Sequence, residues 1–135
     1  MKFTIETLGY IKYFENITKT HVKDCFIDKN NNLVFIINQN QLIKALGKNI
    51  SNIKKLSHKL KKRIKIIEFN PNPEIFLKNC IYPLKPFSIK KENNNIIIKA
   101  DSTQQKALLL GKNKQNLKAL QNLVNKFFKI EIKIE

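Results

Sequence analysis

Two strings of ten residues, each headed by a glycine, have the residue types that can hold a phosphate group. The first is GKNISNIKKL at 47–56 and the second is GKNKQNLKAL at 111–120, with six identical positions at a separation of 64. Glycine allows another backbone to approach closely, and Lys48 and Lys112 add positive charge beside it. A helix that ends at the glycine and a second helix after the loop would direct backbone N–H groups and a positive helix dipole to one point. The pattern therefore favours a site for a phosphate backbone.

The alternative is that each glycine only caps a helix in a plain helix-turn-helix. A single copy would favour that alternative, but the sequence around the two strings also repeats in the same order. The matching pairs are 30–32 with 93–95, 33–37 with 96–98, and 63–68 with 130–134. Two copies in the same order of elements favour a nucleic-acid-binding loop over a plain helix-turn-helix.

Hydrophobic spacing predicts the elements that position these strings. The first copy is predicted to begin with a helix over 4–17 capped by Thr4, followed by a hairpin of strands 21–27 and 33–37. A short helix over 41–46 comes next, and a strand over 64–69 ends the copy. Between them lies a second helix whose apolar face contains Ile50, Ile53, Leu56 and Leu60. Each copy is thus predicted to follow the order β-β-α-loop-α-β.

All four prolines lie between residues 71 and 86 and mark a seam between the copies. Proline fixes φ and removes a backbone donor, so helix interiors and central strands exclude it. Asn72 is expected to cap a helix with Pro73 at its first position. The residues expected on its buried face are Phe76, Leu77, Cys80 and Ile81. The seam therefore divides the chain into two predicted domains. Residues 1–70 form the leading helix and the first domain, and residues 71–135 form the seam helix and the second domain.

The charge of the chain points to a polyanionic partner. It carries 26 Lys and Arg residues against 10 Asp and Glu, a net charge of +16. AT-rich codon usage can inflate lysine without a functional reason, but it does not explain the scarcity of acids. Nucleic acid is the first candidate and a membrane surface the second. The chain has no Trp and no unpaired amphipathic helix pattern, so we expect no membrane association.

Residues that commonly carry catalysis or bind metals are sparse. Three glycines cannot build a Gly-x-x-x-x-Gly-Lys-Ser/Thr loop or a Gly-x-Gly-x-x-Gly turn. His21 and His58 have no second ligand at metal-binding spacing, and Cys25 and Cys80 are expected to be buried, reduced thiols. We therefore predict that the protein is not an enzyme and has no cofactor or metal. The lack of a signal-peptide pattern at 1–6 predicts a cytoplasmic location.

The frame and the loop together resemble a known family. The β-β-α-loop-α-β order with a glycine-headed loop resembles the KH domain, whose loop clamps about four nucleotides of single-stranded RNA. Asn52 and Asn116 match the asparagine of the KH signature Gly-Lys-Gly-Gly-x-Asn-hydrophobic-Lys. Residues 10–18 and 22–28 are similar to the opening helix and first strand of archaeal NusA-like transcription factors, and the resemblance covers 1–135.

The resemblance implies an α+β fold of two tandem KH type II-like units, each a small three-stranded mixed sheet covered by helices. It implies a monomer that holds single-stranded RNA on two loops and acts in transcription termination or antitermination. Glycines and asparagines would shape the loops, and lysines would neutralise phosphates. The candidate RNA-binding residues are Gly47, Lys48, Asn49, Lys54, Gly111, Lys112, Asn113, Lys114 and Lys118.

Two alternative functions stay open on the sequence. One keeps RNA binding but assigns it to ribosomal RNA processing or ribosome assembly. The other is an interaction module on RNA polymerase whose loops no longer bind RNA, because each loop has lost two of the family's three glycines. The alternative for Lys54 and Lys118 is that they are solvent-exposed lysines on a helix surface with no binding role, which is common for lysine.

The loops differ from each other at their last position. They contain Gly-Lys-Asn-Ile in the first copy and Gly-Lys-Asn-Lys in the second, where the family has Gly-Lys-Gly-Gly. Asparagine adopts positive φ readily, whereas we expect the β-branched Ile50 not to replace glycine there, and either to shield the N–H groups of the helix start or to turn inward with Ile53. Lys114 adds a flexible ammonium group instead. We therefore expect the second loop to supply more RNA affinity than the first.

Overall fold

The predicted order of elements occurs twice along the chain. The computed structural model describes residues 4–135, and it divides into two units between Asn70 and Pro71. The first unit contains α1 (Ile5–Thr18), β1 (Val22–Ile27), β2 (Leu33–Ile37), α2 (Leu42–Leu46), α3 (Ser51–Leu60) and β3 (Ile64–Glu68). The second contains α4 (Pro73–Ile81), β4 (Ser88–Glu92), β5 (Asn95–Lys99), α5 (Thr103–Leu110), α6 (Gln115–Asn125) and β6 (Glu131–Ile134). Among these helices, none is long and apolar enough to cross a membrane.

Each unit contains a three-stranded sheet whose middle strand is antiparallel to one neighbour and parallel to the other. In the first sheet, ordered β1-β2-β3, Phe35 pairs with Cys25 on β1 and with Ile66 on β3. In the second, ordered β4-β5-β6, Ile97 pairs with Lys90 on β4 and with Lys133 on β6. The parallel neighbours are joined by two helices and the loop between them. The expected α+β class, with two small mixed sheets covered by helices, is confirmed.

The core of the first unit lies between its helices and the sheet. Phe14 of α1 stacks on Phe35 of β2, with ring centroids 4.1 Å apart. Ala45 of α2 and Leu56 of α3 are fully buried in the same cluster. All five residues of β2 are buried, as its continuous apolar sequence indicates. Because both helices are anchored here, the loop between them has a fixed place above the sheet.

The second half of α1 packs into this core, whereas its first turn stays at the surface. Thr4 caps the helix as predicted, since its hydroxyl accepts a hydrogen bond from the Thr7 N–H at 3.1 Å. Ile5 is 91% exposed and Leu8 is also exposed, while Phe14 is fully buried. The apolar spacing therefore predicts the helix correctly but not how much of it is buried.

Asparagine-rich turns set the register of both hairpins. In the first, the Asp28 N–H donates to the Asn32 carbonyl at 2.9 Å, and the Asp28 carboxylate accepts from the Asn30 N–H at 2.9 Å. Asn31 and Asn93 adopt φ of 62° and 57° in the two turns, which asparagine tolerates well. Each turn therefore positions the middle strand of its sheet in the observed register.

The seam helix α4 begins as predicted. The Asn72 side chain accepts a hydrogen bond from the Glu74 N–H at 2.9 Å, and Pro73 occupies the first helical position. The Phe76 ring lies edge-on to the Phe127 ring, with centroids 5.5 Å apart. The predicted inward residues are all buried: Phe76, Leu77, Cys80 and Ile81.

Both cysteines are buried, as expected. Burial, and to a smaller extent the neighbouring Asp24 carboxylate, together raise the pKa of the Cys25 thiol to about 12. The Cys25 side chain is therefore a neutral, apolar part of the core at physiological pH.

Candidate nucleic-acid interface

Each unit places its glycine at the junction between the two helices that cross over the sheet. The Gly47 N–H closes α2 by donating to the Ile43 carbonyl at 3.1 Å, and the Gly111 N–H closes α5 by donating to the Ala107 carbonyl at 2.8 Å. Gly47 has φ 73° and ψ 176°, and Gly111 has φ 72° and ψ 174°. This φ favours glycine, so both helices end and turn in the same way.

The two residues before the second helix have a left-handed backbone in both units. Asn49 and Ile50 have φ of 55° and 53°, and Asn113 and Lys114 have φ of 54° and 60°. The expectation that Ile50 could not replace glycine is therefore wrong. A left-handed L residue costs roughly 1–2 kcal/mol, and a β-branched one is unusual there. Contacts elsewhere in the fold must hold this turn in place.

An asparagine in the second helix supplies one such contact. The Asn116 Nδ2 donates to the Leu108 carbonyl at 2.7 Å, and the Asn52 Nδ2 donates to the Ala45 and Lys44 carbonyls at 3.1 and 3.3 Å. These carbonyls belong to the last turn of the preceding helix, where intrahelical partners run out. The asparagines of the signature therefore fasten the second helix to the first across the loop.

The same asparagines fill the space that a side chain at either glycine position would need. A Cβ atom added at Gly111 would lie 2.6 Å from the Asn116 Cγ and 2.9 Å from its backbone nitrogen. At Gly47 the added atom would lie 2.9 Å from the Asn52 Cγ and 3.0 Å from the Ser51 Oγ. Glycine is thus required by both the backbone angle and the close approach of the second helix.

The second helix of each unit begins without a side-chain cap. The cap positions are Ile50 for α3 and Lys114 for α6, and neither side chain accepts a hydrogen bond from the helix start. The Ser51 and Gln115 N–H groups donate to the Lys48 and Lys112 carbonyls within the loops, and the N–H groups that follow them lie at the positive end of the helix dipole. Each loop therefore offers an anion-binding helix start next to a lysine.

The predicted site residues come together at one loop in each unit. Lys54 and Lys118 lie in the first turns of α3 and α6, next to the loops. Gly47 and Gly111 are half-buried at the base of each loop. The exposed members of the predicted set are Lys48, Asn49, Lys54, Lys112, Asn113, Lys114 and Lys118.

Both loops lie within long stretches of sequence that contain no acid. None occurs between Asp28 and Glu68, where ten basic residues fall, or between Asp101 and Glu131, where six fall. The net charge of +16 is thus concentrated in the two segments that build the loops. A simple scan for gaps between acidic residues would have found these segments from the sequence.

Exposed apolar side chains flank the loops and were not singled out by the sequence analysis. Ile43 on α2 and Leu108 on α5 are exposed in the helices that precede the loops. Ile50 is 47% exposed, so the alternative that it turns inward with the half-buried Ile53 is wrong. The first loop therefore presents an apolar side chain where the second presents Lys114.

The fold and its two loops define a nucleic-acid-binding module in which a glycine-headed turn joins two helices over a small mixed sheet. Residues 10–79, just over half of the chain, match the model of the KH domain family. The chain belongs to the KH domain family, a class of RNA-binding module. The second unit repeats the same order of elements and the same loop angles.

Several archaeal proteins are similar to the chain over nearly its whole length. It is 23% identical over 128 residues to "Probable transcription termination protein NusA" of Thermoplasma acidophilum, covering 93% of this chain and 88% of that protein. It is 26% identical over 141 residues to the protein of the same name from Methanocaldococcus jannaschii, covering 100% of this chain and 76% of that protein. The crystal structure of APE1850 superposes with a TM-score of 0.72 at 29% identity, covering 98% of this chain and 100% of that one. The expected similarity to archaeal NusA-like proteins is confirmed.

Proposed function

We propose that the chain binds single-stranded RNA through both loops and acts in transcription termination or antitermination. The observation that carries the proposal is the shared loop backbone: both loops keep positive φ at two positions that lack glycine. Strained backbone of this kind clusters at binding sites and switch regions, so its presence at Ile50 supports a retained binding loop. The residues proposed to form the two RNA sites are Gly47, Lys48, Asn49, Lys54, Gly111, Lys112, Asn113, Lys114 and Lys118.

The phosphate backbone of the RNA is proposed to lie against the start of α3 and of α6. The N–H groups that follow Ser51 and Gln115 donate to phosphate oxygens there, and the helix dipole adds a favourable field. Lys48 and Lys112 contribute ammonium groups from within the loops, and Lys54 and Lys118 contribute from the first helical turns. Each contact displaces a condensed cation, so the affinity should depend strongly on salt.

A single strand suits these loops better than a duplex does. The bases of a strand held at the loop are free to turn toward the neighbouring helices, where Ile43 and Leu108 are exposed. Sequence-specific RNA recognition generally uses such unstacked bases, because the major groove of an RNA duplex is too narrow to read.

A titration with unstructured RNA at several salt concentrations tests the proposal. With about four to eight phosphates contacted, log K should fall against log salt with a slope of roughly −3 to −6. The variant Lys112→Asp/Lys114→Asp should bind much more weakly than Lys12→Asp/Lys29→Asp, which changes the net charge equally at exposed positions outside the loops. A flat salt response, or equal losses in the two variants, would contradict RNA binding by the loops.

The role in transcription is supported by the names of the archaeal relatives. It predicts that RNA polymerase is a partner, and the alternative of ribosomal RNA processing predicts ribosomal RNA instead. Capture of the native complex with and without RNase separates these roles. Polymerase that stays bound after RNase treatment supports a direct protein contact, and ribosomal RNA in the untreated sample supports the alternative.

A further inference from the structure

Two aromatic side chains stand exposed outside the loop sites, in the segment between α4 and β4. Tyr82 is 68% exposed and Phe87 is 73% exposed. We call residues 82–87 the aromatic segment. Rings of this size carry a large apolar surface that a binding partner could bury.

The aromatic segment is held in place rather than loosely attached. The Leu84 N–H donates to the Ile81 carbonyl at 2.9 Å, which continues the end of α4. The Lys85 carbonyl accepts a hydrogen bond from the Gln105 Nε2 at 3.0 Å. Gln105 is buried in the first turn of α5, and its Oε1 accepts from the Asp101 N–H at 2.9 Å. A buried amide thus ties the segment to the helix that leads to the second loop.

The sequence of the aromatic segment and its flanks is basic. No acidic residue occurs between Glu74 and Glu92, whereas four lysines do. The Lys99 Nζ lies 5.3 Å from the centroid of the Phe87 ring, within the range of a cation–π contact. The exposure of Phe87 leaves ring surface open to solvent beside this ammonium group.

Exposed rings beside lysines are the combination that binds single-stranded nucleic acid, because bases stack on the rings and phosphates pair with the ammonium groups. We propose that Tyr82 and Phe87 form a base-stacking site that extends the RNA path beyond the second loop. This inference rests on the proposed RNA binding and adds to it a contact outside both loops.

The geometry of the second unit allows one strand to reach both places. Gln105, which holds the aromatic segment, and Gly111, which begins the second loop, belong to the same helix and its end. A helix rises about 1.5 Å per residue, so these positions lie roughly 9 Å apart along its axis. The proposal therefore expects a strand longer than the four or so nucleotides that a KH loop clamps to extend from the second loop toward the aromatic segment.

The first test compares RNA lengths on the full chain. The variant Tyr82→Leu/Phe87→Leu should bind an RNA of about twelve nucleotides at least about fivefold more weakly than the wild type. It should bind a four-nucleotide RNA with unchanged affinity, because that RNA fills only a loop. Thermal unfolding should be close to wild type, since both side chains are exposed.

The second test reads stacking directly. The chain has no Trp, so the variant Phe87→Trp carries a single fluorescent indole. Its emission should be quenched when the longer RNA saturates the protein, because stacked bases quench indole. The control Leu8→Trp places the indole at an exposed position on α1 in the other unit, and its emission should not change.

The outcomes separate this inference from the proposed function. Normal binding of the longer RNA by Tyr82→Leu/Phe87→Leu, with unquenched Phe87→Trp, would overturn the stacking site and leave loop binding intact. No RNA binding by the wild type would overturn both. Unquenched emission together with RNase-resistant capture of a protein through this segment would replace RNA by a protein as its partner.

Discussion

The Asn116 side chain donates a hydrogen bond to the Leu108 carbonyl at 2.7 Å, across the loop that begins at Gly111. Asn52 makes the corresponding bonds in the first unit, to the carbonyls of Ala45 and Lys44. The bond spans eight residues and joins the start of one helix to the end of the other. It explains how the loop keeps its shape with a single glycine.

Replacing Asn116 by alanine should therefore loosen the loop and lower stability. We expect Asn116→Ala to reduce the free energy of unfolding by about 1–2 kcal/mol, because the Leu108 carbonyl loses its donor. Asn122→Ala, at an exposed position on the same helix, is the matched control and should be neutral or slightly stabilising. Urea denaturation measures both. Equal stabilities would show that the hydrogen bond to Leu108 does not hold the loop.

The glycines should differ in how strictly they are required. Gly111→Ala should cost about 1–3 kcal/mol, because the added Cβ meets the backbone nitrogen of Asn116, which cannot move without moving α6. Gly47→Ala should cost less, because its close contacts are with the side chains of Asn52 and Ser51, which can rotate. Thermal and urea unfolding of the two variants measure the difference.

Gly9 provides the internal control for this comparison. It lies in α1 with nothing within 4 Å of an added Cβ, so Gly9→Ala should stabilise the chain by up to about 1 kcal/mol. A Gly111→Ala variant as stable as Gly9→Ala would mean that α6 does not approach the loop as closely as described.

Removing the backbone strain at Ile50 should increase the stability of the fold. Ile50→Gly should raise the free energy of unfolding by about 1 kcal/mol, since glycine adopts φ near 53° without steric cost. Ile50→Val keeps the β-branch and should give no gain. A loss of stability in Ile50→Gly would indicate that the exposed side chain contributes more than the strained backbone costs.

The two loops should contribute unequally to RNA binding although their backbones match. We expect Lys112→Asp/Lys114→Asp to weaken binding more than Lys48→Asp/Asn49→Asp, because Lys114 offers an ammonium group where Ile50 offers none. The starting charges differ by one, so about 1 kcal/mol of the difference has to be allowed for that charge. Both variants are measured on one RNA at one salt concentration, and a loss from the first loop that equals or exceeds the other would refute the asymmetry.

The Cys25 thiol should make stability fall at alkaline pH. Its pKa is about 12 in the folded chain, and an unfolded thiol ionises near 8.5, so its contribution is complete below about pH 8.5 and declines toward pH 12. Cys25→Ala should remove this part of the pH dependence. Unfolding free energies from pH 7 to 10, compared between the two proteins, measure it. Parallel curves would mean that the native thiol ionises as easily as the unfolded one.

Much of the fold could be predicted because its local signals agree with its tertiary packing. The Asn72-Pro73 start of α4 and the apolar run of β2 both form as their sequences indicate. The left-handed backbone of Ile50 could not be predicted in the same way. Its intrinsic preference for negative φ is overridden because the Asn52 hydrogen bonds close the loop. Likewise, spacing shows that Ile5 lies on the apolar side of a helix, but not that the helix extends beyond the core.

The candidate site was predictable as a motif but not as a set of contacts. The repeat placed Lys48 and Lys112 in equivalent loops, since shared residues at a fixed separation indicate a shared backbone. The sequence did not reveal that Phe87 is exposed beside Lys99, because an aromatic residue before a strand is more often buried. That relationship depends on how the strand enters the sheet.

The parallel pairing of β2 with β3, and of β5 with β6, also governs the order in which the chain assembles. In each unit the loop lies inside the crossover connection, so the sheet stays incomplete until the strand that follows both helices has arrived. Non-local pairing of this kind is slow compared with helix formation. During synthesis, the first unit thus acquires its complete binding surface only once Glu68 has been added. A ribosome that stalls before that residue carries a first unit whose loop is still without the scaffold that shapes it.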